Sequence, residues 1–524
     1  MKTLFGHVLR RISLALPALL VVFADCSQKL PADTLRLRLP SDPPTIDWTR
    51  ATDNISKEVI NQIHEGLVQE DHEAKPLPAL AESWTKSADS KTYTFRLRES
   101  AKWSDGQAVT AQHFIDAWER LLNPQTAAEY AYFLFDIVGA EDYQKGTLKD
   151  FAKVGVRADG DRTLVVTLRS PVAYWIHVPT FWVTFPVRKD ILTKFGDKWT
   201  DSDKIVTAGP YLLKSWQHDS RIEIVKNPGY YDAAKYPHMP AKAEYRIVKE
   251  DTTAVTLFNS QGLDVVRDLP PSQILSLATK PEFLSSPFLR GFYVGFNIKD
   301  PTVSDVRVRK ALAMALDRSE IGKLLPKIAT PNSSWIPPGL MAYKADRGVQ
   351  FDAAAAKKLW DSIPNKPAKI DLWYDQKELN KLVMENVQNQ WKRTLGIEAT
   401  LQTQEWKVYL KSLRANTPAV WRMGWGADYP DPDTFMNLFL CSSGNNFTKL
   451  CSKEYDALIA KSAASNDDKF RAEAYDQAQK ILLEDEVAIV PLFTLTNMHL
   501  VSQRVEGFRV NPMGDISFKD LRLK

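Results

Sequence analysis

The chain has 524 residues, too many for a single hydrophobic core, so two or three domains are expected. Hydrophobic and charged fractions of 44% and 25% are globular averages and exclude a disordered chain, a collagen and a coiled coil. A formal charge of +4 excludes the basic footprint of a nucleic-acid binder, and three cysteines exclude a disulfide scaffold or a multi-cysteine zinc module. The 15 Trp, 17 Tyr and 23 Phe suit either a tryptophan-rich core or aromatic contact surface for a ligand.

The N-terminus reads as a secretory signal, residues 1–25. Lys2, Arg10 and Arg11 precede an apolar run from Ile12 to Phe23, too short to span a bilayer. Val22-Phe23-Ala24 suits ordinary cleavage before Asp25, whereas Cys26 followed by Ser27 suits a lipoprotein signal, which makes Cys26 a lipidation candidate despite Asp25 before it. Removing residues 1–24 leaves a net charge of +1. A periplasmic protein or an envelope lipoprotein is expected.

Along the mature chain, 55–67 reads as a helix and 93–98 as a half-buried strand by its alternation. Thr110 is a natural N-cap for the helix carrying Phe114, Trp118 and Leu122. Strands are expected at 163–168 and 221–226, each bounded by a turn dipeptide. Beyond residue 288, Val308, Ala311, Leu312 and Ala315 mark an amphipathic helix behind Ser304 or Asp305. Asp352 caps an alanine-rich helix, and a longer one from Leu379 stops at Gly396 between strands at 372–374 and 397–401. Such alternation predicts α/β or α+β lobes. No internal repeat or low-complexity linker occurs, so short crossing strands should join the domains and act as a hinge.

Catalytic signatures are scarce. There is no nucleophile elbow, phosphate-binding loop or His-Glu-x-x-His, and the scattered histidines lack metal-ligand spacing. No metal or other cofactor is implied. Cys441 and Cys451, ten residues apart, read as a disulfide in an oxidising compartment, with two free thiols as the alternative. Around 421–432, Gly424 and Gly426 flank Trp425, and Arg422 and Asp428 stand six residues apart. Glycines allow backbone to approach a ligand, and opposite charges suit a zwitterion. A strand end leading into an Asp-Pro turn explains the same residues equally well.

His64-Glu65-Gly66-Leu67, Pro78-Ala79-Leu80-Ala81-Glu82-Ser83-Trp84, Ala101-Lys102-Trp103-Ser104-Asp105-Gly106 and Phe195-Gly196-Asp197-Lys198-Trp199 occur in that order. Asp305-Val306-Arg307-Val308-Arg309-Lys310-Ala311-Leu312, Gln404-Glu405-Trp406-Lys407 and Gly424-Trp425-Gly426-Ala427-Asp428-Tyr429 follow them. With these markers the chain resembles the periplasmic oligopeptide-binding proteins of extracellular solute-binding family 5, receptors of ATP-driven peptide importers. The last two markers are similar to the oligopeptide and murein-peptide branch.

The resemblance implies an α/β, type II periplasmic-binding-protein clamshell with an extra domain, mixed sheets and three lobes. The implied boundaries are 31–64, 188–289 and 497–524 for domain I, 65–187 for domain II and 290–496 for domain III. It implies a monomeric receptor that binds short peptides and docks on an inner-membrane permease, with no enzymatic step. By resemblance, Asp428 pairs with the peptide ammonium, main chain at Gly424, Trp425 and Gly426 bonds the peptide backbone, and Trp406 and Trp425 wall side-chain pockets. Arg422 and Arg414 are expected at the peptide carboxylate, and Tyr130 or Tyr132 reach in from domain II. Phe288, Arg290 and Tyr293 lie on the crossing into domain III, and the hinge is expected near 288–296 and 494–500. Arg290 and Gly426 replace a disulfide of some relatives, Asn380 replaces a carboxylate-binding histidine, Gly295 replaces an acid, and His113 replaces an acid at a helix cap. Competing expectations are a narrower ligand (a murein tripeptide, a dipeptide, a sugar or a metal complex) and, in another class, an exported hydrolase.

Overall fold

Residues 33–524 are described by the structure, a computed structural model; the expected signal and Cys26 lie outside them. The first strand, β1 (Thr34–Leu39), is buried along its whole length, as befits a central strand covered on both faces. Helix α1 (Asn54–Ile63) starts where the Asp53 carboxylate accepts from the N–H groups of Ile55 and Ser56. It ends at His64 rather than Leu67. Gly66 there packs so closely that an added Cβ would lie 2.4 Å from the Pro179 carbonyl oxygen.

Four antiparallel strands follow: β2 (Ala81–Lys86), β3 (Thr92–Leu97), β4 (Val156–Ala158) and β5 (Thr163–Thr167), in spatial order β2-β3-β5-β4. Helix α2 (Ala111–Leu122) lies between β3 and β4 in the chain. At its start His113 Nδ1 accepts from the Thr110 N–H at 3.0 Å, so the imidazole takes the place of the usual acid in the capping box.

Apart from two short two-stranded sheets, the remaining strands build one large mixed sheet. They are β6 (Tyr211–Gln217), β7 (Arg221–Lys226), β8 (Lys242–Ile247), β9 (Val265–Arg267), β10 (Phe283–Phe296), β11 (Lys369–Asp375), β12 (Glu398–Gln404), β13 (Val420–Gly426) and β14 (Ile489–Val501). With β1 their order is β12-β11-β13-β10-β14-β9-β1-β8-β7-β6, and a short strand, Ala329–Pro331, adds to β14. The long strands β10 and β14 pair antiparallel along the middle of this sheet, with irregular register between Pro287 and Gly291. Helices α3 (Val306–Met314), α4 (Glu378–Leu395) and α5 (Trp406–Ala415) belong to this half. Asp305 caps α3, Asp352 caps the helix Ala353–Asp361, and Gly396 ends α4 with φ of 74°.

Pleating divides β10 between two cores. Tyr293 packs against Trp335 and Trp421, and at Gly295 an added Cβ would meet the Trp421 ring at 2.4 Å. Phe292, Val294 and Phe296 face a second cluster with Val308, Leu312 and Trp391. Gly295 is therefore set by ring packing and has no place in ligand contact.

Cys441 and Cys451 are joined by a disulfide, their Cα atoms 4.6 Å apart. The loop they close is also held by Asn446, whose amide donates to the carbonyls of Phe439, Leu440 and Leu450. Substituting both cysteines with Ser should lower stability by about 2 kcal/mol, toward the low end for a short closed loop with a second anchor. Urea denaturation checks this, and reduced wild type should unfold with the double variant.

Candidate functional site

A cavity of about 1450 Å³ opens beside the end of β13. One wall comes from Asp53 and Lys57 at α1, from Tyr130, and from Phe181 and Trp182. The opposite wall comes from Phe288 and Arg290 of β10, Lys377, Trp406 and 423–428. A C-terminal stretch that includes Arg509 and Lys519 closes the base.

Local sequence explains the second wall. In β13, the first four residues are buried and the last three, Gly424, Trp425 and Gly426, are half-buried, so the strand runs out of the core into the cavity. Thr434 holds the turn beyond it: its Oγ1 accepts from the Asp428 N–H at 3.1 Å and from the Trp425 indole N–H at 3.4 Å. Close sheet packing accounts for one of these glycines, and both line the cavity. At Gly424 an added Cβ would meet the Gly291 carbonyl oxygen of β10 at 3.0 Å, whereas Gly426 has ordinary room.

Asp428 is half-buried, and among the described residues its carboxylate accepts no hydrogen bond and makes no ion pair. Burial pushes its pKa up to about 7, with Lys57 pulling slightly the other way. Lys57 itself is paired to Asp515 at 2.5 Å. Across from Asp428, Tyr130 is raised to about 12, first by burial and then by the Asp428 charge. Its ring meets Tyr132, Phe181 and Trp182 edge-on at centroid distances of 5.6–5.9 Å, an aromatic wall facing an unpaired carboxylate.

The other expected residues divide. Trp406, 40% exposed, and Phe288 line the cavity with Arg290. Tyr132 lies outside the lining and keeps 47% of its surface exposed, although Asp428 raises its pKa after partial burial does. Tyr293 is a core residue, buried against Trp335 and Trp421, and does not reach the cavity. Arg414 lines a separate surface depression with Leu410 and Lys411 and is not part of the cavity lining. Arg422 is buried behind the wall: its guanidinium bonds Asp375 at 2.7 Å and lies over the Phe292 ring at 4.2 Å. Asn380 donates to the same Asp375 oxygen at 2.8 Å, so this asparagine serves the ion pair.

Sequence reasoning missed Lys57, Phe181, Trp182, Lys377, Asp375 and Arg509. Only Asp375, at the end of an alternating strand, carried a local signal, that of an acid where a buried strand terminates.

Residues 75–447 match the bacterial extracellular solute-binding proteins, family 5 (middle region). The chain belongs to that family. It is 36% identical to the periplasmic oligopeptide-binding protein OppA of Salmonella typhimurium, over 88% of this chain and 87% of that one. Among solved structures, the murein tripeptide-binding protein MppA of Escherichia coli superposes with a TM-score of 0.78 at 28% identity, covering 94% of this chain and 98% of that one. The Haemophilus influenzae OppA complex with RPPGFSPFR gives 0.76 at 32% identity, covering 94% and 99%. The fold of this family member is accordingly the type II periplasmic-binding-protein clamshell, with mixed sheets. Both the family and these neighbours are binding proteins. Among the described residues, no helix is long and apolar enough to cross a membrane.

Proposed function

We propose that this chain is a periplasmic receptor that captures short peptides between two closing lobes, without chemical change. It then delivers them as a monomer to the inner-membrane permease of an ATP-driven importer. The observation that carries the reading is the Asp428 carboxylate, half-buried and unpaired among the described residues, at the open end of β13 and opposite Tyr130. A peptide ammonium supplies the missing charge, and main-chain groups near Gly424 and Gly426 accept the ligand backbone as an added strand. The names of the relatives support peptides as the ligand class and the periplasm as the compartment. The basic and apolar N-terminal pattern supports export.

The lobes of this reading are domain I (31–64, 188–289, 497–524), domain II (65–187) and domain III (290–496). Tyr174 of domain II stacks on Tyr429 of domain III at 4.3 Å, and the Ala173 N–H donates to the Ala463 carbonyl at 2.8 Å, contacts suited to a closing pair. The register irregularity in β10, next to Gly291, supplies a hinge between domains I and III.

Native mass spectrometry of the purified mature protein tests the reading. A heterogeneous set of co-purifying short peptides is expected. A single defined ligand would instead favour the murein-tripeptide reading, for which the likeness to MppA speaks. Cleavage products from added peptides would point to a hydrolase. Small-angle scattering should show a smaller radius of gyration after adding a tripeptide, and an unchanged radius with confirmed binding would exclude closure.

A further inference from the structure

Arg290 stands on β10 directly opposite Gly426 of β13. The arginine stem passes beside Gly426, where an added Cβ would lie 3.9 Å from Arg290 Cγ and Cδ, an ordinary contact distance. The guanidinium lines the same cavity as Asp428. Among the described residues it makes no ion pair and no side-chain hydrogen bond, and its buried Nε has no acceptor. Its one specific contact is the Phe292 ring, 5.6 Å away.

The surrounding charges sharpen the deficit. Arg422 also lies over the Phe292 ring, so two guanidiniums share one aromatic partner. The buried acid nearby, Asp375, is already bonded to Arg422 and Asn380. Asp268 exerts the larger pull of the two acids, but it is 58% exposed and stands 3.9 Å from Arg267. Lys377 adds a further positive charge to the lining. Guanidinium stays protonated under these conditions and presents a planar fork of donors that matches a carboxylate. A partly desolvated cation of this kind, left without an acceptor, awaits an anion from the ligand.

We propose that Arg290 forms an anion subsite for a carboxylate carried within the first two residues of the ligand, counted from the ammonium held at Asp428. The proposal rests on the peptide-receptor reading and narrows it to peptides with an acidic residue at position one or two, or dipeptides offering their terminal carboxylate. The spacing fits. Gly426 ends β13 and Asp428 stands two residues on, at most about 7 Å away, within the span of two ligand residues. The specificity comes from Arg290 itself, whose place on the cavity wall is fixed by the pairing of β10 with β13 at Gly426.

Calorimetry on mature protein stripped of endogenous ligand by unfolding and refolding tests the proposal. Ala-Glu-Ala is compared with Ala-Gln-Ala, Glu-Ala-Ala with Gln-Ala-Ala, and dialanine with its amide; tri-alanine reports peptide binding itself. At least one carboxylate ligand should bind about tenfold or more tightly than its neutral partner, the size of a single charge-assisted contact. The pair that responds identifies a side-chain or a terminal source. In Arg290→Met that ratio should fall within twofold, whatever the absolute affinity, and Arg290→Gln gives the same readout if the methionine variant does not fold. Tri-alanine binding with all wild-type ratios within twofold, or ratios that persist in the variants, overturns the Arg290 assignment alone. Failure of every peptide to bind overturns the receptor reading and this subsite with it.

Discussion

Replacing Asp428 with Asn should weaken tripeptide binding by about 2–4 kcal/mol, thirtyfold to several hundredfold, because a buried ammonium loses its counter-charge. N-acetylation of the peptide should weaken wild-type binding similarly and add little in the variant. A distinctive pH dependence should accompany the loss. In the free protein burial holds the Asp428 carboxyl at about 7, above its ordinary range. The ligand ammonium favours the ionised form, so binding at pH 5 must first expel a proton from most of the population. Apparent affinity should therefore fall up to tenfold per unit as pH drops below 7, about 2.7 kcal/mol by pH 5, and level off below the carboxyl's pKa in the complex. Asp433, also held at about 7 by burial, bonds Tyr429 and Asn437 and is a second source of slope. Titrations of wild type and Asp428→Asn between pH 5 and 8 separate the two. A flat profile in the variant assigns the proton to Asp428, whereas an unchanged slope assigns it elsewhere and removes the ammonium role.

Much of the fold was legible because its signals are local. Arg221–Lys226 forms a strand with the expected bounds, since its alternation matches a sheet with one face covered. Asp305, Asp352 and Gly396 end their helices as side-chain chemistry and left-handed backbone dictate. The overlong expectation for α1 failed because the helical pattern through Leu67 meets a tertiary constraint, the close contact of Gly66 with Pro179. At the cavity, the family resemblance singled out the end of β13, yet it also grouped residues by nearness in sequence. Arg422 sits six positions before Asp428, but its partner, Asp375, is 47 residues away on a parallel neighbour. Tyr293 sits three positions after Arg290, and the pleat turns it into the core. Aromatic residues such as Phe181 and Trp182 gave no sign in sequence that they face a cavity, because an aromatic run reads the same in a core and in a binding wall.

The Arg422–Asp375 pair carries the second large expectation. Arg422→Met should destabilise the peptide-free protein by about 3–5 kcal/mol, since it leaves Asp375, only 1% exposed, with the Asn380 amide in place of a charge partner. Removing both charges is a different experiment. Arg422→Met with Asp375→Leu replaces the pair by apolar groups and should recover most of the loss, because the desolvation cost of both ions disappears with their attraction. The cycle of two single variants and the double variant, followed by urea denaturation, isolates the coupling between the two residues. This also decides between two roles for the arginine. A residue kept to meet a ligand carboxylate would lose affinity on substitution with little loss of stability. The geometry instead predicts a stability loss in the ligand-free protein, with part of it restored by the second substitution. A stability change under about 1 kcal/mol for Arg422→Met would return the arginine to the ligand, since an exposed or weakly engaged ion pair contributes no more than that.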